Sequence, residues 1–288
     1  MDAPILDAHQ HFWHLARGDY DWLTSTETAL YRDFHPDDLR PALKSAGVTR
    51  TIAVQAAATV AETRWLLDLA ASTDFIAGVV GWVDLTMPDV SATLQSLQSS
   101  PYLVGVRPML QDLPDPRWIL KRRVQRNLAY CAEVGLRVDW LVTPRELPWA
   151  AEAAQRLPDL YHIVDHLGKP SAMTAEWTEA MSALAAHPHG YCKVSGLSTL
   201  PPSPSPPDAA WKVEAVAQVW EWFGPDRLVF GSDWPVCLSG GISYEDAVHA
   251  VRAIMPSNHP NHLTGIFGKN AETFYRIDGQ RHLEHSLR

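Results

Sequence analysis

Apolar positions along the chain follow two alternating rhythms. Short runs rich in β-branched and aromatic residues recur at 5–12 (ILDAHQHF), 49–56 (TRTIAVQA), 75–85 (FIAGVVGWVDL) and 103–110 (LVGVRPML). They continue at 136–142, 160–167, 191–197 and 227–234 (RLVFGSDW). Each is too short and too uniformly apolar for an amphipathic helix, and reads as a strand covered on both faces. Between them, AETRWLLDLAAS (61–72) and PDVSATLQSLQSS (88–100) carry apolar residues at the helical spacing i, i+3, i+4. Helical patterns over 35–47, 124–135 and 209–224 close on Gly47, Gly135 and Gly224, the residue type that ends helices most readily. Two more, at 243–255 and 263–275, follow the eighth strand.

Eight strands, each followed by a helix at roughly 30 residues per unit, predict an α/β fold, a (β/α)8 TIM barrel spanning 1–288 as one domain. A doubly wound parallel sheet is the alternative, since alternation alone does not show closure. One stretch breaks the rhythm: STLPPSPSPPD (198–208), with five prolines between Pro201 and Pro207. It reads as an extended, semi-rigid loop after strand seven, an insertion more readily than a lid. The polar tail 278–288 reads as a flexible terminus.

Composition narrows the classes. At 288 residues with 46% hydrophobic content, the chain can bury a substantial core. A formal net charge of −9 argues against nonspecific binding to nucleic acid or anionic membrane. Cys131, Cys192 and Cys237 are odd in number and lack CxxC spacing, as expected of packing thiols in a reducing compartment. No leader pattern opens the chain and no apolar run approaches about 18 residues, so a cytoplasmic protein is expected. Oligomeric state is not legible.

In a barrel, chemistry gathers at the C-terminal ends of strands. His9 and His11 stand there on strand one; alternation puts them on one face, with Asp7 a step earlier. Gln55, Trp82, Asp84, Arg107 and Asp139 follow on strands two to five. His166 and Lys169 end strand six, Lys193 and Ser195 lie on strand seven, and Asp233 ends strand eight beside Trp234. Singly, each has a plain reading. A lone histidine is usually a hydrogen-bonded packing residue, Arg107 could pair with Asp84 or Asp139, and Lys193 could neutralise an acid. Asp165 alternates away from His166 toward the helix side. His187, His189, His259 and His262 fall in Pro-containing loops and read as solvated.

Jointly the set is harder to dismiss. Strands one and eight adjoin in a closed barrel, so His9, His11 and Asp233 should meet, with His166 nearby. Such a set suits a divalent ion or metal-free proton transfer. No GxGxxG, GxxxxGK[ST] or HExxH occurs, and GSDW (231–234) lacks the frame of a nucleophile elbow.

The segments DAHQHFW, DYDWL, VQA, GVVGWVDL, GVRPMLQD, VDHLGKP, CKVSGL and FGSDWPV, in order from residue 5 to about 276, resemble the sugar-lactone branch of the amidohydrolase superfamily. The resemblance implies hydrolysis of an aldonolactone, such as L-fuconolactone or L-rhamnonolactone, to the free sugar acid. His9, His11, His166 and Asp233 fall on its metal-site positions. The ion expected is one divalent metal, zinc first, or none. Asp233 would be the general base, with His166 and Arg107 as catalytic partners. Arg107, Gln55, Trp82, Lys169 and Trp234 would contact substrate. Two departures matter: strand four offers Arg107 instead of lysine or glutamate, and strand five has no histidine, which disfavours a two-metal site. Leu200 follows Thr199 where relatives often carry glutamate. A lactone isomerase, a decarboxylase and a non-catalytic sugar-acid binding barrel are the alternatives.

Overall fold

Runs of apolar residues covered on both sides favour a parallel sheet wrapped by helices, and this is the arrangement in the computed structural model, which describes residues 4–200, 210–255 and 260–277. Strands β1 (Ile5–Gln10), β2 (Val48–Val54), β3 (Ile76–Gly81), β4 (Leu103–Val106), β5 (Arg137–Trp140), β6 (His162–Val164), β7 (Gly190–Val194) and β8 (Leu228–Phe230) pair in parallel, in sequence order. Helices α1 (Pro36–Ala46), α2 (Val60–Ser72), α3 (Ser91–Gln98), α4 (Arg122–Glu133), α5 (Leu147–Gln155), α6 (Ala175–Ala186), α7 (Ala210–Phe223) and α8 (Tyr244–Ile254) follow the strands one by one. The chain then runs through α9 (Pro260–Thr264) and a π-helical turn (Gly265–Lys269) into α10 (Asn270–Tyr275). No helix among the described residues is long and apolar enough to cross a membrane.

Inward residues of moderate size, including Leu6, Ala8, Ile52, Val54, Val80 and Val229, fill the barrel, and Phe274, Tyr275 and Ile277 pack beneath them. Outward residues such as Ile5, Ala53, Val79 and Val138 join the layer shared with the helices. The strands stop short of their expected ends: β1 at Gln10, β3 at Gly81 and β8 at Phe230. The apolar runs continue into buried loops, because burial alone selects apolar residues whether or not a ladder continues. The Pro-rich stretch is described only to Leu200, and the tail from 278 lies outside the described residues.

The barrel closes between β1 and the segment after β8. His11 N–H donates to Trp234 O (2.7 Å) and Asp233 N–H to His9 O (2.8 Å). Beside this seam Asp7 accepts hydrogen bonds from Ser232 N–H (2.9 Å), Ser232 O–H (2.6 Å) and Tyr244 O–H of α8 (3.0 Å). Asp7 therefore does not share a face with His9, contrary to the alternation expected. A β-bulge is the cause: the three steps from Asp7 to Gln10 stand against two from Thr51 to Ala53.

His187 is also not solvated; it is buried, with its ring 4.8 Å from that of His162. The turn into β7 is held under the barrel rim by Arg227, which donates to the carbonyls of Ala185, His187 and Gly190. His189 stacks on Tyr161 at 4.0 Å, and His259 lies outside the described residues. Neither ring nitrogen of the fully buried His162 has a hydrogen-bond partner among the described residues. Burial, then the neighbouring His187, holds its imidazole well below the ordinary histidine range. The folded chain thus binds fewer protons at His162 than the unfolded chain does, and stability falls as pH drops below the ordinary value of 6.5. Urea midpoints measured from pH 7 to 5 should show His162→Leu losing stability less steeply than the natural chain, by up to about 1.4 kcal/mol per pH unit.

Candidate active site

The bulge in β1 turns His9 into the barrel, and His11 follows beyond the strand end. His11 Nδ1–H donates to the carbonyl of Val54 on β2 (2.8 Å), which aims Nε2 at the centre. After β6 the chain enters a left-handed turn at His166 (φ 52°) and Leu167 (φ 57°). That turn swings His166 inward, where Nδ1 meets Ser195 Oγ at 2.8 Å. Gly196 makes room for it, since a Cβ there would lie 2.8 Å from His166 Nδ1. Asp233 is also left-handed (φ 59°). Such conformations are costly for non-glycine residues, so surrounding contacts must hold them.

These turns bring three imidazoles around one oxygen. Asp233 Oδ1 lies 3.3 Å from His11 Nε2, 3.7 Å from His9 Nε2 and 3.8 Å from His166 Nε2. All four residues are buried. His9, His166 and Asp233 offer ligand atoms close enough together for one zinc-like ion. His11 stands beside this group rather than within it, its Nε2 3.2 Å from His9 Nε2, and His11 and His166 are oriented through their other nitrogens. β4 and β5 add Arg107 and Asp139, and Asp139 already pairs with Lys193, so they offer no second ligand set. His14, Asp33 and His35 form a separate, half-buried group.

A cage of charge lies beneath the histidines. Lys193 Nζ is 2.5 Å from Asp139 Oδ2, 3.0 Å from Asp165 Oδ1 and 3.1 Å from His9 Nδ1. Tyr275 O–H also donates to Asp139 (2.9 Å). Asp165 is thus part of the site and not of the helix side. Strand alternation ends at Val164, where the turn begins, and cannot place it. Burial pushes the Asp139 carboxyl up to about 6, against the pull of Lys193. For Asp165 burial also pushes upward, but Lys193 and His9 prevail and hold it well below the usual carboxylate range. Asp233 is held low against burial by His166, His11 and His9, so it is ionised at neutral pH. Burial pushes His166 down to about 4, leaving it neutral.

Arg107 spends its donors internally. Nε and Nη2 bond the side chain and carbonyl of Gln55, while Nη1 makes longer contacts to Asp165 Oδ2 (3.3 Å) and His9 Nε2 (3.4 Å). A cavity of about 240 Å³ opens above this floor, bounded by His11, Arg107, His166 and Asp233. Lys169 and Gln111, joined by a 2.7 Å hydrogen bond, form one wall. Trp22, Ala56, Met109, Leu141, Thr199 and Val236 complete the lining.

Of the substrate contacts expected from sequence, Arg107 and Lys169 reach this cavity. Gln55 stands behind Arg107, and Trp82 is not in the lining. Trp234 is packed edge-on against Phe12 and Phe34. Asp84 turns to Thr86 instead of the site, and Leu200 is buried outside the lining. Trp22 lies far in sequence from any strand end, so no strand pattern points to it; it is fixed by Nε1–H donating to Ala56 O (2.8 Å) and by its edge contact with Trp13. Met109 and Gln111 follow Arg107 in the same run and were legible only by proximity.

Asp165→Ala would leave Lys193 and Arg107 undercompensated in the barrel interior. Denaturant unfolding should show a loss of about 3–5 kcal/mol, as for other broken buried ion pairs. A loss below about 1 kcal/mol would return Asp165 to the helix side.

Comparison with known proteins finds relatives along nearly the whole chain. The family model described as amidohydrolase matches residues 6–277. An L-fucono-1,5-lactonase of Burkholderia ambifaria is 43% identical, over 97% of this chain and 99% of its own length. An L-fucono-1,5-lactonase of Burkholderia multivorans is 35% identical, over 87% of this chain and 88% of its own. The crystal structure of an amidohydrolase from Burkholderia multivorans with bound zinc superposes with a TM-score of 0.89 at 34% identity, covering 96% of this chain and all of that one. A match across nearly the whole barrel, on a chain whose histidines and aspartate converge at its mouth, places this protein in the amidohydrolase family.

Proposed function

We propose that this chain hydrolyses a sugar-acid lactone to the free acid, with L-fucono-1,5-lactone the first substrate to test. The observation that carries the reading is Asp233, a carboxylate buried among three imidazoles at the floor of a cavity. The names of the two Burkholderia relatives support the substrate class.

Asp233 accepts a proton from a water as its oxygen bonds to the lactone carbonyl carbon. Negative charge develops on the carbonyl oxygen, where the Arg107 guanidinium and His166 stabilise it. The long Nη1 contacts of Arg107 are the ones a substrate oxygen can replace without disturbing its grip on Gln55. As the carbon–ring oxygen bond breaks, Asp233 returns its proton to that oxygen, leaving a hydroxy acid. One divalent ion, zinc first, would be held by His9, His166 and Asp233, with His11 beside them; bound there it supplies positive charge for the carbonyl. Lys169 and Gln111 offer hydrogen bonds to sugar hydroxyls, and Trp22 an aromatic wall.

Acid release over a panel of aldonolactones, followed with a pH indicator, tests the reading. Isomerisation or carbon dioxide release without ring-opening would replace it. At fixed, verified metal content, Asp233→Asn should slow hydrolysis by about 100-fold or more while the product acid still binds. Near-normal turnover in that variant would remove the general-base role. Arg107→Lys keeps charge but loses the planar fork, so turnover should also fall about 100-fold with the fold intact, as judged by circular dichroism.

Metal analysis of the purified chain should find one tightly held divalent ion. Asp233→Ala should release it, whereas His14→Ala, outside the barrel mouth, should not. Full activity after exhaustive chelation would assign the same residues to a metal-free reaction.

A further inference from the structure

Hydrogen bonds around His9 and His11 determine which nitrogen carries each proton. A lysine ammonium only donates and a backbone carbonyl only accepts. Lys193 Nζ lies 3.1 Å from His9 Nδ1, so that nitrogen accepts and the neutral ring carries its proton on Nε2. His9 Nε2 lies 3.2 Å from His11 Nε2. His11 holds its own proton on Nδ1, against the Val54 carbonyl, leaving its Nε2 lone pair to accept. Three hydrogen bonds thus run head to tail, from Lys193 through His9 and His11 to Val54.

The opposite tautomer of His9 also has partners. Its Nδ1–H would donate to Asp165 Oδ1 at 3.3 Å, and its Nε2 would accept from Arg107 Nη1 at 3.4 Å. Both contacts are longer than those in the first arrangement. This tautomer also sets the Nε2 lone pairs of His9 and His11 against each other at 3.2 Å with no proton between them. A cation is what such a pair of lone pairs accommodates.

We propose that Lys193 is a positioning residue that sets the tautomer of His9 and thereby limits metal uptake. In the metal-free chain it holds the His9 proton on Nε2, closing that nitrogen to a metal. Uptake through His9 requires the proton to leave Nε2 and another to reside on Nδ1, where Asp165 accepts its hydrogen bond. The ring stays neutral throughout. The tautomer assignment holds whichever lactone is the substrate; the effect on uptake rests on the metal reading above.

Two measurements on the full chain test this. Nitrogen-15 histidine spectra after metal removal, with signals assigned using His9→Asn, should show His9 as the Nε2–H form and His11 as the Nδ1–H form. A metal-free His9 in the Nδ1–H form would overturn the proposal. Zinc affinity, measured by competition with a coloured chelator, should rise about 10-fold or more in the Lys193→Met/Asp139→Asn double variant, the scale on which partners of metal ligands act. The double change avoids leaving the Asp139 carboxylate uncompensated. Equal or weaker zinc binding, or none in either protein, would overturn the effect on uptake without disturbing the hydrolysis test. Should the double variant fail to fold, the spectra of the natural chain decide.

Discussion

The Asp7 carboxylate at the seam between β1 and the end of β8 is the contact on which the site depends. It accepts from His9 N–H (3.1 Å), from both donors of Ser232 and from Tyr244 of α8. One buried group therefore ties the first strand, the segment that follows the last strand and α8 together. Burial pushes Asp7 up to about 6, and these hydrogen bonds oppose it. Because the seam joins His9 and His11 to Asp233, any slip in it would separate the residues that converge at the barrel mouth.

Convergence is costly in two ways. His166 and Asp233 both occupy left-handed backbone, which non-glycine residues adopt only when the surroundings hold them. The site also buries two cations and three carboxylates, counting Arg107, Lys193, Asp139, Asp165 and Asp233. Isolated, such charges would be expelled or neutralised. Here Lys193 is shared by Asp139 and Asp165, and Arg107 by Gln55 and Asp165, so every charge has a partner of opposite sign or a strong dipole. The result is a floor of fixed charges, preorganised for a reaction in which negative charge develops above it.

Much of this was legible in the chain. Strand and helix order followed from periodicity, because apolar burial on two faces leaves a different pattern from burial on one. His9, His11, His166 and Asp233 were legible because histidine and aspartate at the ends of apolar runs are expensive without a purpose. Asp7 and Asp165 were misplaced for a common reason. Strict alternation places both on the wrong side, because it stops at a bulge beside Asp7 and at a left-handed turn after Asp165. Gln55 and Trp234 stand beside the right residues but behind them, a distinction of depth that a one-dimensional pattern does not carry.

The sequence by itself determined the order of elements, the class of fold and the identity of the converging groups, since these depend on local composition and period. Tertiary structure alone decided which nitrogen of His9 meets Lys193, which donors of Arg107 are already spent, and that Trp22, Met109 and Gln111 wall the cavity. Those outcomes depend on contacts between residues far apart in the chain: Lys193 stands 184 positions from His9, and Ser232 stands 225 from Asp7. Packing fixes such pairs only once the barrel has closed.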